Sequence, residues 1–244
     1  MVFLQSEIKK KILKEYGYRI EMHAHTSPHS TCSEIIPEDM AKIYSGLGYD
    51  AVVITNHFIY EYNFYEKYPK EKALEEYMTG YEETKKAAEK YGLSVLLGAE
   101  LRFTESFNDY LIYGIDKDML ARIYEMLPQG LENFRKNFDM GKSILFQAHP
   151  FRDGMDIVKP SLLDGIETFN MHFGQNSRVG KAVRYAAENN ISRTVAGTDY
   201  HHYGMEGAAA VRTKELPKDS FELAKILRTG DYVLEIGGEA IILP

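Results

Sequence analysis

Short runs of apolar, often β-branched residues recur along the chain, and most close on a residue able to bind a metal or a proton. They are 18-YRIEMHAH-25, 51-AVVITNH-57, 94-SVLLGAE-100, 110-YLIYGID-116, 143-SILFQAH-149, 165-GIETFN-170 and 192-SRTVAGTD-199. Runs of this length, rich in Val, Ile and Tyr, read as buried strands. Between them the apolar spacing turns helical. The stretch 37–49 opens with Pro37, carries acids early and stops at glycine. The stretch 66–92 sets Leu74, Tyr77, Met78, Tyr81 and Tyr91 on one stripe before Gly92. A third, 176–190, begins at an N-cap-type Asn176, and a fourth, 218–230, starts near Asp219 or Ser220 and ends at Gly230. Alternating strands and helices predict a mostly parallel sheet with right-handed crossovers. Seven such strands predict a closed or nearly closed α/β barrel.

Composition narrows this picture. The 244 residues suit one barrel domain spanning 1–244, and 44% apolar residues suffice for a real core. No run approaches the length of a membrane span, and the N-terminal stretch lacks a signal-peptide layout. One cysteine, Cys32, has no internal disulfide partner. A cytoplasmic protein is the resulting expectation. The net charge of −7 works against a broad nucleic-acid surface, which needs clustered Lys and Arg. It leaves room for a small anionic ligand in a pocket, and bound cations would offset part of the charge.

In α/β barrels the reactive groups gather at the C-terminal ends of the strands. His23 and His25, His57, Glu100, His149, and Asp199 with His201 all fall at such ends. Residues i and i+2 of an extended segment point the same way, so each close pair offers two ligands to one cavity. His202 then points away. Imidazoles and carboxylates suit Zn, Mn or Fe at a catalytic site. Cys32 reads either as an additional ligand or as a lone buried thiol. Two ions a few Å apart can activate water and clamp the oxygens of a displaced phosphate.

The motifs HAHT at 23–26, TNH at 55–57, AE at 99–100, AHPFR at 148–152 and GTDYH at 197–201 resemble, in order, those of the PHP (polymerase and histidinol phosphatase) family. The likeness runs from residue 19 to 202, and LAKILRTGDY at 223–232 resembles the last helix and strand of small standalone members. It implies a distorted (β/α)7 TIM-like barrel holding two or three divalent ions and hydrolysing phosphate esters. Carried over, His23, His25, Glu100 and Asp199 hold one ion. Glu100 bridges to a second ion with His149, and His57 and His201 hold a third. Two positions depart from the family pattern. Ser30 and Thr31 stand where many members have an Asp or His, which leaves His29 as the nearest third-metal ligand. Asp109 stands near the place of a fourth-strand His and is the substitute ligand there.

Other groups surround these. Arg152 either clamps a phosphate with its guanidinium fork or pairs at the surface with Asp153 or Asp156. Arg102 follows Glu100 by two and is a second clamp candidate. Glu167 and Asn170 orient His ligands or simply hydrogen-bond at the rim. His172 faces substrate or solvent. The tyrosine-rich 58–68 stretch forms a wall over the site or packs as helix. Asp199 or His201 is placed to protonate a leaving oxygen. No Gly-rich phosphate loop and no Ser-His-Asp arrangement is visible. The expected activity is metal-dependent hydrolysis of a small phosphorylated substrate, with no long nucleic acid and no membrane involved. Hydrolysis of an amide or lactone, or a non-catalytic metal-binding module, are the competing readings.

Overall fold

The computed structural model describes residues 2–238 and 240–242. Helix α1 (Val2–Glu15) precedes β1 (Tyr18–Ala24), and α2 (Pro37–Gly46) leads into β2 (Ala51–Ile54). Three short strands follow: β3 (His57–Ile59), β4 (Glu61–Asn63) and β5 (Glu66–Tyr68). Helix α3 (Lys70–Ala88) returns to β6 (Ser94–Arg102), which turns directly into β7 (Asp109–Tyr113). Helices α4 (Lys117–Met126) and α5 (Leu131–Asn137) come before β8 (Ile144–Gln147). Then come β9 (Gly165–Asn170), α6 (Val179–Glu188), β10 (Thr194–Gly197) and β11 (Ala209–Thr213). The chain finishes with α7 (Ser220–Thr229), β12 (Val233–Ile236) and β13 (Ala240–Ile242).

Each of the seven apolar runs contains a strand, and these strands are neighbours in the order β1–β2–β6–β7–β8–β9–β10. The sheet curls until its ends meet. His25 N–H donates to the Tyr200 carbonyl at 3.0 Å, and Tyr200 N–H donates to the His23 carbonyl at 3.1 Å. The result is an α/β fold with a strongly curled sheet, compatible with a TIM-like barrel. Both faces of the strands are buried, as continuous apolar runs require. Ala51 and Val53 join one apolar cluster with Met22, Phe146 and α7, whereas Val52 and Ile54 join another with Met40 and Tyr44 of α2. A third cluster lies beneath α3, α4 and α5. Among the described residues, no helix is long and apolar enough to cross a membrane.

Three differences from the sequence reading have physical causes. First, β7 is antiparallel to both β6 and β8. The 103–108 link is too short for a helical crossover, which needs about a dozen residues, so β7 must run backwards. Second, the 66–92 helix begins only at Lys70, because Pro69 disfavours helical backbone at Tyr68; residues 66–68 instead pair with β4. The tyrosine-rich stretch is therefore strand and hairpin, not helix. Third, Asn176 accepts from the Arg178 N–H in a turn, and α6 starts at Val179. Asp219 does cap α7, accepting from Glu222 N–H, and Gly230 ends that helix in the left-handed region.

Candidate metal centre

The strand ends bring their polar side chains to Glu100. Its Oε1 lies 3.0 Å from His149 Nε2 and 3.2 Å from His23 Nε2, while Oε2 lies 2.9 Å from His57 Nδ1 and 3.4 Å from His25 Nε2. Asp199 closes the other side: its Oδ1 is 3.4 Å from both His23 Nε2 and His25 Nε2, and 3.2 Å from His201 Nδ1. The His25 ring stacks between those of His57 and His201, with centroids 4.5 and 4.1 Å away. Asp109, at the start of the reversed strand, reaches the same cavity, its Oδ2 3.9 Å from His149 Nε2.

Neighbouring polar residues lock these side chains in place. Thr55 and Asn56 interrupt the 51–57 run, and their side chains accept from the Ala24 and Thr26 N–H groups, clamping the backbone around His25. Ser30 Oγ donates to Asn56 and accepts from His57 N–H, tying the first two motifs together. Glu167 binds His23 Nδ1 at 3.0 Å, which turns Nε2 inward, and accepts from His149 N–H at 2.9 Å. This carboxylate–imidazole arrangement is the usual support of a metal-binding His. Asn170 joins Glu167 to Asp199. Gly197 permits close approach of β10: a Cβ there would stand 2.5 Å from that of His23. His149 and Asp199 both hold positive φ, 28° and 55°, a region costly for non-glycine residues and concentrated at functional sites.

Beneath the cluster lies a second buried carboxylate, Glu21. It accepts from His23 N–H, Thr198 N–H, Thr198 Oγ and Tyr44 OH. Burial pushes its carboxyl up to about 7 despite those donors. Its part in holding the first and last motifs together carries no sequence signature beyond period-2 alternation with His23.

The electrostatics of the upper cluster are those of a cation site. Burial by itself raises Glu100, but the His23 and His57 imidazoles, with the hydrogen bond from His149, hold it well below the usual carboxylate range. Asp199 is likewise held down, against burial, by His23 and Arg152. Burial lowers His57 and His201, yet Glu100 raises the first to about 9 and Asp199 the second to about 10. His25 is pushed well down by burial and by His201 and His57, leaving a neutral imidazole. Fully buried His23 Nε2, His25 Nε2, His57 Nδ1 and Glu100 Oε2 lack a hydrogen-bond partner despite their proximity. Buried polar atoms are rarely left this way. Among the described residues, three groups have ligand atoms all within 4.8 Å of one another: His25, His57 and His201; His23, His25 and Glu100; His57, Glu100 and Asp109. Nitrogen and oxygen donors with free lone pairs fit divalent metal ions.

Not every candidate converges. His29 turns away to Glu76 and Glu83 of α3, at 3.5 and 3.3 Å, and packs so closely on Gly80 that a Cβ there would meet its ring at 2.6 Å. Arg102 makes a bidentate pair with Asp109, both contacts 2.8 Å. Arg152 ignores Asp153 and Asp156: it reaches Asp199 at 2.5 Å and Asn170 at 2.8 Å, and Asp153 is taken by Arg178. His202 is exposed, 3.6 Å from Glu34. His172 is half-buried, its ring 5.5 Å from that of His201. Phe64 of the β4–β5 hairpin stands edge-on to His57 at 4.6 Å, so the tyrosine-rich stretch does wall the site. Cys32 is half-buried; burial raises its thiol, but the influence of His201 and His57 brings it down to about 6.

No protein-family model matches the chain, and no curated protein does. Its fold does match solved structures. One is a two-domain protein from Bacteroides vulgatus described as containing a predicted PHP-like metal-dependent phosphoesterase, matched over 92% of this chain with TM-score 0.63 and 16% identity. The chain covers 66% of that protein's length. PsfC from Pseudomonas syringae matches over 80% of this chain and 81% of its own, with TM-score 0.58 and 15% identity. At such identities the likeness is one of fold. The architecture that carries the HAHT, TNH, AE, AHPFR and GTDYH motifs is thus shared with a structure named for a PHP-like metal-dependent phosphoesterase.

Proposed function

We propose that the chain is a metal-dependent phosphoesterase acting on a small phosphate ester, with its curled sheet serving as a distorted seven-stranded barrel of the (β/α)7 type. The observation that carries this reading is the convergence of unpartnered buried donors from His23, His25, His57 and Glu100 on one cavity. His23, His25, Glu100 and Asp199 would hold one ion, Glu100, His149 and Asp109 a second, and His57 with His201 a third. Zn, Mn or Fe at these positions supplies Lewis acidity and an acidified water.

The residues themselves divide the remaining work. Glu167 and Asn170 hold His23 and Asp199 in position. Arg152, with a buried Nε lacking any partner, is poised to leave Asp199 and take phosphate oxygens as a fork. Arg102 is the second guanidinium at the rim. Where it does not hold an ion, His201, raised to about 10 by Asp199, is a proton donor to a leaving oxygen.

Metal analysis of the purified protein, with a screen of phosphate monoesters, diesters, amides and lactones, tests the reading. Bound transition metal and turnover of a phosphate ester are expected, both abolished in Asp199→Ala and His25→Ala. Arg152→Ala should keep the metal and lose roughly a hundredfold in kcat/KM, the scale of one transition-state donor. Turnover of amides or lactones alone would transfer the same site to another bond. Absence of tight metal after reconstitution would overturn the proposal.

A further inference from the structure

Two carboxylates of α3, Glu76 and Glu83, lie one helical turn to either side of Gly80, on one face of the helix. The bare surface at Gly80 admits the His29 ring, which a Cβ there would meet at 2.6 Å. Each ring nitrogen is thereby brought to a carboxylate: Nε2 lies 3.3 Å from Glu83 and Nδ1 3.5 Å from Glu76. The two contacts differ. Nε2 is hydrogen-bonded to Glu83, whereas Nδ1 is fully buried and has no hydrogen-bond partner. A neutral ring that donates from Nε2 keeps a bare lone pair on Nδ1.

A second orphaned atom belongs to the same cavity. Asn63, at the end of β4, donates from Nδ2 to the His29 carbonyl at 2.8 Å, which fixes its amide and leaves Oδ1 buried without a partner. His29, Asn63 and Glu76 line this cavity together, beside Phe58, Ile59 and Tyr77. It holds about 10 Å³, room for one water-sized occupant. The 3.5 Å between His29 Nδ1 and Glu76 Oε2 is long for a hydrogen bond. It matches two ligands of one tetrahedral ion, because donors about 2.1 Å from the metal stand about 3.4 Å apart. Glu76 is half-exposed, so an ion can reach the cavity from solvent.

We propose that His29 Nδ1, a Glu76 carboxylate oxygen and Asn63 Oδ1 form a zinc site separate from the cluster around Glu100. None of these three residues belongs to the donor groups of that cluster. One imidazole, one carboxylate and one amide oxygen make three protein ligands, the number that leaves a fourth position for water. Glu83, on the far ring nitrogen, is the carboxylate support that a metal-bound imidazole uses. The ligands come from the loop after β1, from the β4–β5 hairpin and from α3. The ion would therefore staple to α3 the hairpin whose Phe64 stands against His57. Its binding is independent of whatever bond the Glu100 cluster hydrolyses.

Zinc titration of the metal-stripped full-length protein, with elemental analysis of the loaded protein, tests this without any assay of turnover. The native chain is expected to bind one zinc ion more than Glu76→Gln or His29→Gln. Glu83→Gln should keep that ion but bind it about 10–100-fold more weakly, the cost of losing a supporting neighbour. Glu76 and Glu83 are both partly exposed, so their substitution does not threaten the fold. Glu100→Gln should lose the ions of its own cluster and retain this one. In the zinc-loaded native chain, proteolytic cleavage at the exposed Tyr65 of the hairpin should be slower than in zinc-loaded Glu76→Gln. Equal zinc content in the native chain, Glu76→Gln and His29→Gln would overturn the proposal and assign the cavity to a trapped water. Loss of every zinc ion in Glu100→Gln would overturn it as well.

Discussion

Glu21 and Glu100 are both fully buried glutamates on central strands of one sheet, yet their surroundings are opposite. Glu21 is saturated: two backbone N–H groups and two hydroxyls donate to it. Glu100 is surrounded by imidazoles and keeps an oxygen without a hydrogen bond. Burial alone does not distinguish scaffold from site. The distinction lies in whether the protein itself has satisfied the charge, because an unsatisfied buried polar group is tolerated only where something else is to complete it.

Substitutions at each carboxylate sharpen the contrast. The largest effect is expected at Glu100. Glu100→Gln should strip metal from two donor groups at once and cut the proposed phosphate-ester turnover by roughly a thousandfold or more, since ligands acting as a unit fail together. Metal content by elemental analysis and initial rates check this, and a variant that keeps both would erase the contrast. Glu21→Ala should do the reverse. It leaves four donors unsatisfied and is expected to lower stability by about 3–5 kcal/mol, the range for breaking buried polar networks. Urea unfolding reads this loss, while metal bound per folded molecule stays near the native value.

Gly197→Ala is expected to be intermediate. Its Cβ would press on His23, costing about 1–3 kcal/mol as overpacking does, and would weaken metal binding by displacing that imidazole. Unchanged metal affinity would show that His23 tolerates the shift. The smallest effect should come from Tyr44→Phe, which removes one donor from Glu21. About 1 kcal/mol of stability should go, with turnover unaltered. A large loss of activity there would mean that Glu21 takes part in the chemistry.

What could be read from the chain followed from local periodicity. His23 with His25, and Asp199 with His201, share a side because extended backbone alternates, and the structure brings all four together. The α/β alternation was legible for the same reason. The reversal of β7 was hidden in the shortness of the 103–108 link, and that shortness, once noticed, forbids a parallel partner. His29 was misplaced because loop residues have no period: its direction depends on Glu76, Glu83 and the bare surface at Gly80, all far away in sequence. The pairing of Arg152 with Asp199 and of Arg102 with Asp109 likewise depends on which strands become neighbours. The added strands β11, β12 and β13 extend the sheet beyond β1 and carry no ligand motif, so a search guided by strand-end chemistry passes over them.

The sheet's closure has a dynamic consequence. A short seam joins β1 to the segment after β10, through the two backbone hydrogen bonds between Tyr200 and residues 23 and 25 and the bonds from Thr198 to Glu21. His23 and His25 stand on one lip of that seam, Asp199 and His201 on the other. An ion gripped from both lips would act as a clasp across this joint. Loading and unloading the site should then appear as slowing and quickening of amide hydrogen exchange at His25 and Tyr200, local opening being governed by the few contacts that close it. The chemistry and the mechanical integrity of this sheet thus meet at one joint.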